Sequence, residues 1–140
     1  MDHIEMMYQE NILEHYKAPH NHGRIENPTT HNHEYNPLCG DEIDLYLIIE
    51  KGIVKEVKFY GRGCAISQSS ASMLTDKIKG KKLDELKKIT KEEILEMIGI
   101  PLSAVRLKCA LLSLDTLRSS IKIYEGYVNN SNKKSKNNGD

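Results

Sequence analysis

The chain has 140 residues and a mass of 16.0 kDa, which reads as one domain, large enough to bury a core without disulfides or metal. Lysine plus arginine and aspartate plus glutamate both number 20, so the formal net charge is +0; this balance argues against nucleic acid or an anionic membrane as partner and for a protein surface. The 3 cysteines are an odd count, the start does not resemble a signal peptide, and no apolar run approaches the length of a membrane span. These features point to a soluble protein in a reducing compartment, the cytoplasm by default.

Met1 to Lys17 reads as a helix, because Ile4, Met7, Tyr8, Asn11, Ile12, His15 and Tyr16 recur at three and four and acidic Asp2 and Glu5 lie near its beginning. Ala18-Pro19 ends it. The segment from His20 to His33 reads as a polar loop broken by Gly23 and Pro28. A metal site made from His20, His22, His31 and His33 is conceivable, but no spacing among them matches a ligand pair on a helix or hairpin, and a solvated loop is the reading preferred.

From Asp41 the pattern changes to strands. Ile43, Leu45, Leu47 and Ile49 alternate with Asp44, Tyr46 and Ile48; Lys51-Gly52 makes the turn, and Ile53, Val57 and Phe59 continue on the partner strand. A third strand is expected around Arg24–Ile25 or 34–38. Ile66 to Ile78 reads as a helix of small residues that permits close approach of another element. Gly80 stops it, Leu83 to Leu86 forms a short turn or helix, and Thr90-Lys91-Glu92-Glu93 starts a further helix as a capping box. Ser103 is placed to cap the last long helix, expected to finish near Gly126 or Val128. The fold class is therefore α+β: a small antiparallel sheet of about three strands with helices packed on one face. Residues 1–128 form the domain, and 129–140 read as a disordered polar tail.

The chemistry concentrates at the cysteines. Asn36-Pro37-Leu38-Cys39-Gly40-Asp41 puts a thiol and a carboxylate two residues apart on a turn, Cys64 follows Gly61-Arg62-Gly63, and Cys109 opens an amphipathic run. Antiparallel pairing brings Cys39 and Asp41, which enter one strand, to the same end of the sheet as Cys64, which leaves the next. Three sulfur donors and a carboxylate match the preferences of zinc or of iron in a cluster. The alternative is three small buried apolar residues; the glycines beside Cys39 and Cys64, which let backbone approach a bound atom, favour the metal reading. No Cys-x-x-Cys pair is present, so such a site has to be assembled from three separate places in the fold.

These residues resemble a known family, the iron–sulfur cluster scaffold proteins IscU, SufU and the N-terminal domain of NifU. The resemblance runs from Tyr8 to about Tyr127. It is carried by Ile12-Leu13-Glu14-His15-Tyr16-Lys17-Ala18-Pro19-His20-Asn21-His22-Gly23, by Asn36-Pro37-Leu38-Cys39-Gly40-Asp41, by Gly63-Cys64-Ala65-Ile66-Ser67 with Ser69-Ser70-Ala71-Ser72, and by Arg106-Leu107-Lys108-Cys109. It implies a SufE/NifU-like fold in which Cys39, Asp41, Cys64 and Cys109 hold zinc in the resting form or a transient [2Fe–2S] cluster. It further implies a scaffold and sulfur acceptor rather than an enzyme, served by a cysteine desulfurase, passing clusters to acceptor apo-proteins, and working as a monomer or a cluster-bridged homodimer. The alternative within the resemblance is a zinc-dependent sulfurtransferase of the SufU type that activates a desulfurase and relays sulfur.

The chain departs from the family pattern in three places. Lys108 stands where IscU proteins have a histidine, as in SufU-like members; a charged ammonium is no metal ligand but favours a neighbouring thiolate. The insertion that SufU proteins carry between the second and third cysteines is missing. Leu102-Ser103-Ala104-Val105-Arg106 replaces the Leu-Pro-Pro-Val-Lys that IscU offers to an Hsp70-type chaperone, so the extended conformation that prolines favour is not enforced and chaperone-assisted release is not expected. Cys109, read as opening a helix with Lys108 and Arg106 beside it, is the expected sulfur acceptor, with Cys39 as the runner-up.

Overall fold

A computed structural model describes residues 2–138 of the chain, with side-chain surroundings for residues 2–130. In chain order the elements are α1 (His3–Lys17), β1 (Thr30–Asn36), β2 (Asp41–Glu50), β3 (Ile53–Arg62), α2 (Ala65–Ile78), α3 (Leu83–Lys87), α4 (Lys91–Ile98) and α5 (Ala104–Asn138). The three strands form one antiparallel sheet in the order β1-β2-β3. The β2–β3 connection is a two-residue hairpin in which Lys51 and Gly52 both take positive φ, 53° and 74°, the turn whose twist matches that of the flanking strands. The third strand falls near the second of its two expected places, and it takes in His31 and His33, which the sequence reading left in a loop. They belong to a strand because β1 pairs with β2 in the register His31↔Tyr46 and His33↔Asp44, and both rings meet the Asp44 carboxylate.

The helices cover one face of the sheet. Ile43, Leu45, Leu47 and Ile49 of β2 and Val54, Val57 and Phe59 of β3 turn inward onto Leu74 and Ile78 of α2, Leu86, Ile94, and Leu114, Leu117 and Ile121 of α5. Period-two alternation along β2 is what gives the sheet a single apolar face. The outer edge of β3 is closed by loops rather than by a strand. Asn21 and Gly23 bond to Phe59, while Gly80 and Lys81 bond to Val54, so the edge groups are satisfied at both ends.

Ser67, Ser69, Ser70, Ala71 and Ser72 of α2 are all buried, and their small side chains let α5 come close enough for Ser70 Oγ to donate to the Ala110 carbonyl at 2.6 Å. This contact sets the height at which Cys109, one residue earlier, enters the sheet end. Helix α1 packs on α2 through Ile12, which joins Met73, Ile98 and Ala110 in a second apolar cluster. Tyr8 is half-buried against Gly99, while Ile4, Met6, Met7, Leu13 and Tyr16 are exposed.

At the far end, α5 starts at Ala104 with the Ser103 hydroxyl accepting from the Arg106 N–H at 3.3 Å. The expected end near Gly126 or Val128 is corrected: α5 continues to Asn138, and 139–140 lie outside the described residues. No proline interrupts the segment, and one glycine costs a helix only about 1 kcal/mol relative to alanine. None of the helices is long and apolar enough to cross a membrane, among the described residues.

Candidate metal centre

Three chain segments meet at one end of the sheet. The turn between β1 and β2 closes with the Gly40 N–H donating to the Asn36 carbonyl at 2.8 Å and the Leu38 N–H donating to the Asn36 side chain at 3.1 Å, which holds Cys39 above the start of β2. Antiparallel pairing of Glu42 with Arg62 brings the end of β3, and with it Cys64, beside Asp41. The α2–α5 contact supplies Cys109 from the third side. Cys39, Asp41 and Cys109 each place one donor atom within 4.8 Å of the other two.

Asp41 is the hub of this arrangement and is fully buried. One carboxylate oxygen accepts from the Cys64 backbone N–H at 2.9 Å; the other accepts from Cys39 Sγ at 2.8 Å and lies 3.7 Å from Cys64 Sγ. Burial alone would raise the Asp41 carboxyl. Hydrogen bonds from Cys109, Cys39 and the Cys64 N–H outweigh it and hold the group below the usual carboxylate range, so it stays an anion ready to bind a cation. Cys39 Sγ and Cys109 Sγ stand 2.9 Å apart, and all three cysteines are free thiols.

The close approach of Asp41 depends on a glycine. Gly63 has φ +152°, and a Cβ there would run into the Asp41 carboxylate and lie 2.6 Å from Ser67 Oγ. Gly63→Ala is therefore expected to push the carboxylate out of the centre and weaken zinc binding by more than about tenfold. Competition with a chelating dye checks this, and an unchanged affinity would show that Asp41 has room to spare.

Two features of Cys109 differ from expectation. It lies in the second turn of α5, past the free N–H groups of the first turn, because Ser103 caps a helix that already starts at Ala104. The cysteine at a helix N-terminus is Cys64, the N-cap of α2, whose Sγ accepts from the Ser67 N–H at 3.5 Å. Lys108, expected to stabilise the Cys109 thiolate, instead lines a groove with Glu34, Pro37, Lys91 and Asp115, and among the described residues the groups that act on the Cys109 thiol are Asp41, Cys39 and Cys64. Successive helix positions point about 100° apart, so a neighbour in sequence is not a neighbour in space. Arg106 is the cation at the centre: its guanidinium is pushed further up by the charge of Cys64, then by hydrogen bonding to Cys64 and Cys109. Burial, followed by hydrogen bonding to Asp41 and Cys39, pushes the Cys109 thiol well above its ordinary value.

The remaining histidines do not converge here. His22 pairs with β3 and packs edge-on to Phe59, and His31 and His33 lie against Asp44 on the outer side of the sheet. His20, His22, His31 and His33 do not come together as one group of donors among the described residues. His15 was assigned only to the apolar stripe of α1, yet it meets His20 and Asp76 in a second group of donors that lies elsewhere.

A buried carboxylate ringed by three thiols at the end of a three-stranded sheet, with helices covering one face of that sheet, defines a small α+β domain suited to holding a thiophilic metal or cluster. The residues fit such a group, since soft sulfur and one hard oxygen converge within ligand reach. The chain belongs to the family of NifU-like N-terminal domains, whose model it matches over residues 7–131. It is 34% identical over 135 residues to the iron–sulfur cluster assembly scaffold protein IscU of Thermotoga maritima, covering 85% of this chain and 95% of that one. It is 32% identical over 140 residues to the zinc-dependent sulfurtransferase SufU of Bacillus subtilis, covering 88% and 95%. Among solved structures, a candidate scaffold for the SUF system from Fervidobacterium islandicum superposes with a TM-score of 0.71 at 31% identity, covering 84% of this chain and 98% of that one. The N-terminal part of a NifU-like protein from Brucella abortus shares the fold with a TM-score of 0.71 at 23% identity, covering 88% and 97%.

Proposed function

We propose that this protein is a cytoplasmic scaffold on which a labile [2Fe–2S] cluster is assembled and from which it is passed to acceptor apo-proteins, with sulfur received as persulfide from a cysteine desulfurase. The observation that carries this reading is the buried Asp41 carboxylate at the centre of three cysteines from three different elements. Cys39, Asp41, Cys64 and Cys109 are the ligands. A hard carboxylate binds cluster iron less firmly than a thiolate, so one corner is exchangeable, as a cluster that has to leave requires. Zinc, when resident, is held by the same four residues and keeps their thiols deprotonated.

Sulfur transfer needs no outside oxidant. An acceptor thiolate attacks the terminal sulfur of the desulfurase persulfide; the S–S bond of the donor breaks, a new S–S bond forms on the acceptor, and the donor cysteine leaves as a thiolate. The protein takes up sulfur as a stoichiometric acceptor rather than as an enzyme.

A second reading is a zinc-dependent sulfurtransferase. The similarity to a protein of that name supports it, as does Cys39, which sits on a turn from which it can leave a metal without unfolding a helix or strand. Anaerobic reconstitution separates the two. A cluster that forms on the protein and moves to an apo-acceptor supports the scaffold; activation of a desulfurase by the zinc form alone, with no transferable cluster, supports the transferase.

Asp41→Ala is expected to lengthen the life of a reconstituted cluster several-fold by removing the hard ligand at the exchangeable corner. Decay of visible absorbance under air measures this; faster loss than in the parent protein would make Asp41 a structural ligand. We also take residues 1–128 as the working domain and 129–140 as a dispensable polar tail, since among the described residues the last side chains of α5 in the core are Ile121 and, partly buried, Tyr124. A chain ending at Val128 is expected to bind zinc with unchanged affinity, and a weaker site would move the boundary outward.

A further inference from the structure

The end of α1, the loop after it and the last turns of α2 meet toward the end of α2 opposite its Cys64 cap. His15 is buried on the inner side of α1, with Nδ1 2.7 Å from Ser72 Oγ. Ala18-Pro19 turns the chain back so that the His20 N–H donates to the same hydroxyl at 2.8 Å and His20 Nδ1 lies 2.5 Å from Asp76 Oδ2. Asn21, in the left-handed region at φ 52°, donates from Nδ2 to Asp76 Oδ1 at 2.9 Å and to Thr75 Oγ1 at 3.1 Å. The His15 and His20 rings are 4.4 Å apart between centroids.

We propose that His15, His20 and Asp76 form a second metal site, which takes a divalent first-row transition ion such as Zn2+ or Fe2+ independently of the cysteine centre. One donor atom from each lies within 4.8 Å of the other two. A tetrahedral ion with bonds of roughly 2.0 Å needs its ligand atoms about 3.3 Å apart, so the group has to close by no more than about 1.5 Å at its widest. His20 and Asp76 are free to do so, with side chains 53% and 47% exposed, while His15 is the fixed point.

Two imidazoles and one carboxylate, with the other positions left to water, are a donor set used by zinc with an open site and by non-haem ferrous iron. The surroundings are those of a supported site. The Ser72 hydroxyl orients the His15 ring and the Asn21 amide orients Asp76, as partners behind metal ligands do. Asp76 is three turns along α2 from Cys64, on the order of 18 Å at the rise of an α-helix, so one ion cannot serve both sites.

The full-length chain with all three cysteines replaced by serine removes the other centre. After chelator treatment and a circular dichroism check, it is expected to bind one equivalent of Zn2+ by calorimetry. Co2+ should give a visible d–d band without the near-ultraviolet charge transfer that thiolates produce. His20→Ala and Asp76→Asn, both at exposed positions, should each weaken this binding by at least about tenfold. If the triple variant does not fold, the cysteine-intact protein gives the same test: two equivalents of Zn2+ are expected, falling to one in the His20→Ala, Asp76→Asn double variant, with the thiolate charge-transfer band unchanged. The proposal is overturned if the folded triple variant binds no Zn2+, or if the stoichiometry is the same with and without the double substitution; His15, Ser72, His20 and Asp76 are then only a latch between α1 and α2.

Discussion

Replacing Cys39, Cys64 or Cys109 by serine, one at a time, is expected to reduce zinc or cluster affinity by more than about a hundredfold in every case, since even the partners behind a metal ligand are worth 10–100-fold. The three positions come from a turn, a helix cap and a helix interior, so none can stand in for another. Cys64 is the most informative of the three. It shares Asp41 with the other two but stands off from the tight group of Cys39, Asp41 and Cys109, so its loss tests whether the side chain swings in when an ion binds. Full metal occupancy in Cys64→Ser, measured by elemental analysis of protein purified without air, would remove it from the ligand set. The variants should stay folded, because the apolar core of Ile43, Leu47, Phe59, Leu74 and Leu117 contains no ligand and holds the sheet to α2 and α5 without metal. Unfolding on removal of metal would instead make this a structural zinc domain.

The second large effect concerns which cysteine takes sulfur from a desulfurase. Cys39 is expected to carry the persulfide, and Cys39→Ser to reduce sulfur loading to background. The sequence favours Cys109 through a helix N-terminus and the neighbouring Lys108 and Arg106; the first two are not present at its sulfur, and Arg106 remains but is shared with Cys64. Cys109 is fully buried in the second turn of α5, and its thiol is pushed up by burial and by Asp41. Attack on a persulfide needs both an accessible sulfur and a thiolate. Cys39 sits partly exposed on the β1–β2 turn between exposed Leu38 and Gly40 at φ 72°, where the turn can carry its sulfur toward a partner. Mass spectrometry of the zinc form after incubation with a desulfurase and cysteine should find the added sulfur on the peptide containing Cys39. Finding it on the Cys109 peptide, with Cys39→Ser loading normally, would restore the original assignment.

The meeting of Cys39, Asp41 and Cys64 at one end of the sheet was legible in the chain because short, local signals carry it. Glycines flank two of the cysteines, the carboxylate stands two residues after the first, and the strand alternation of Ile43 to Ile49 with the Lys51-Gly52 turn places those residues at one sheet end before any coordinate is known. The hairpin, the capped helices and the small-residue face of α2 follow from the same kind of pattern, since period, turn chemistry and caps act over a few residues.

What only the tertiary structure decided are relations between side chains distant in sequence or on different helical faces. Lys108 adjoins Cys109 in sequence but lines another groove, while Arg106, two residues earlier, reaches the centre. The cysteine at a helix N-terminus proved to be Cys64, because the cap of α5 lies at Ser103 and not beside Cys109. His15 meets His20 and Asp76 only because the loop after α1 folds back onto α2, a closure fixed by Ser72 and Asn21 and by no periodicity in the chain. A pattern of residues records which face of an element is apolar; which polar groups meet there depends on how the elements cross, and in this chain the small residues of α2 determine that crossing.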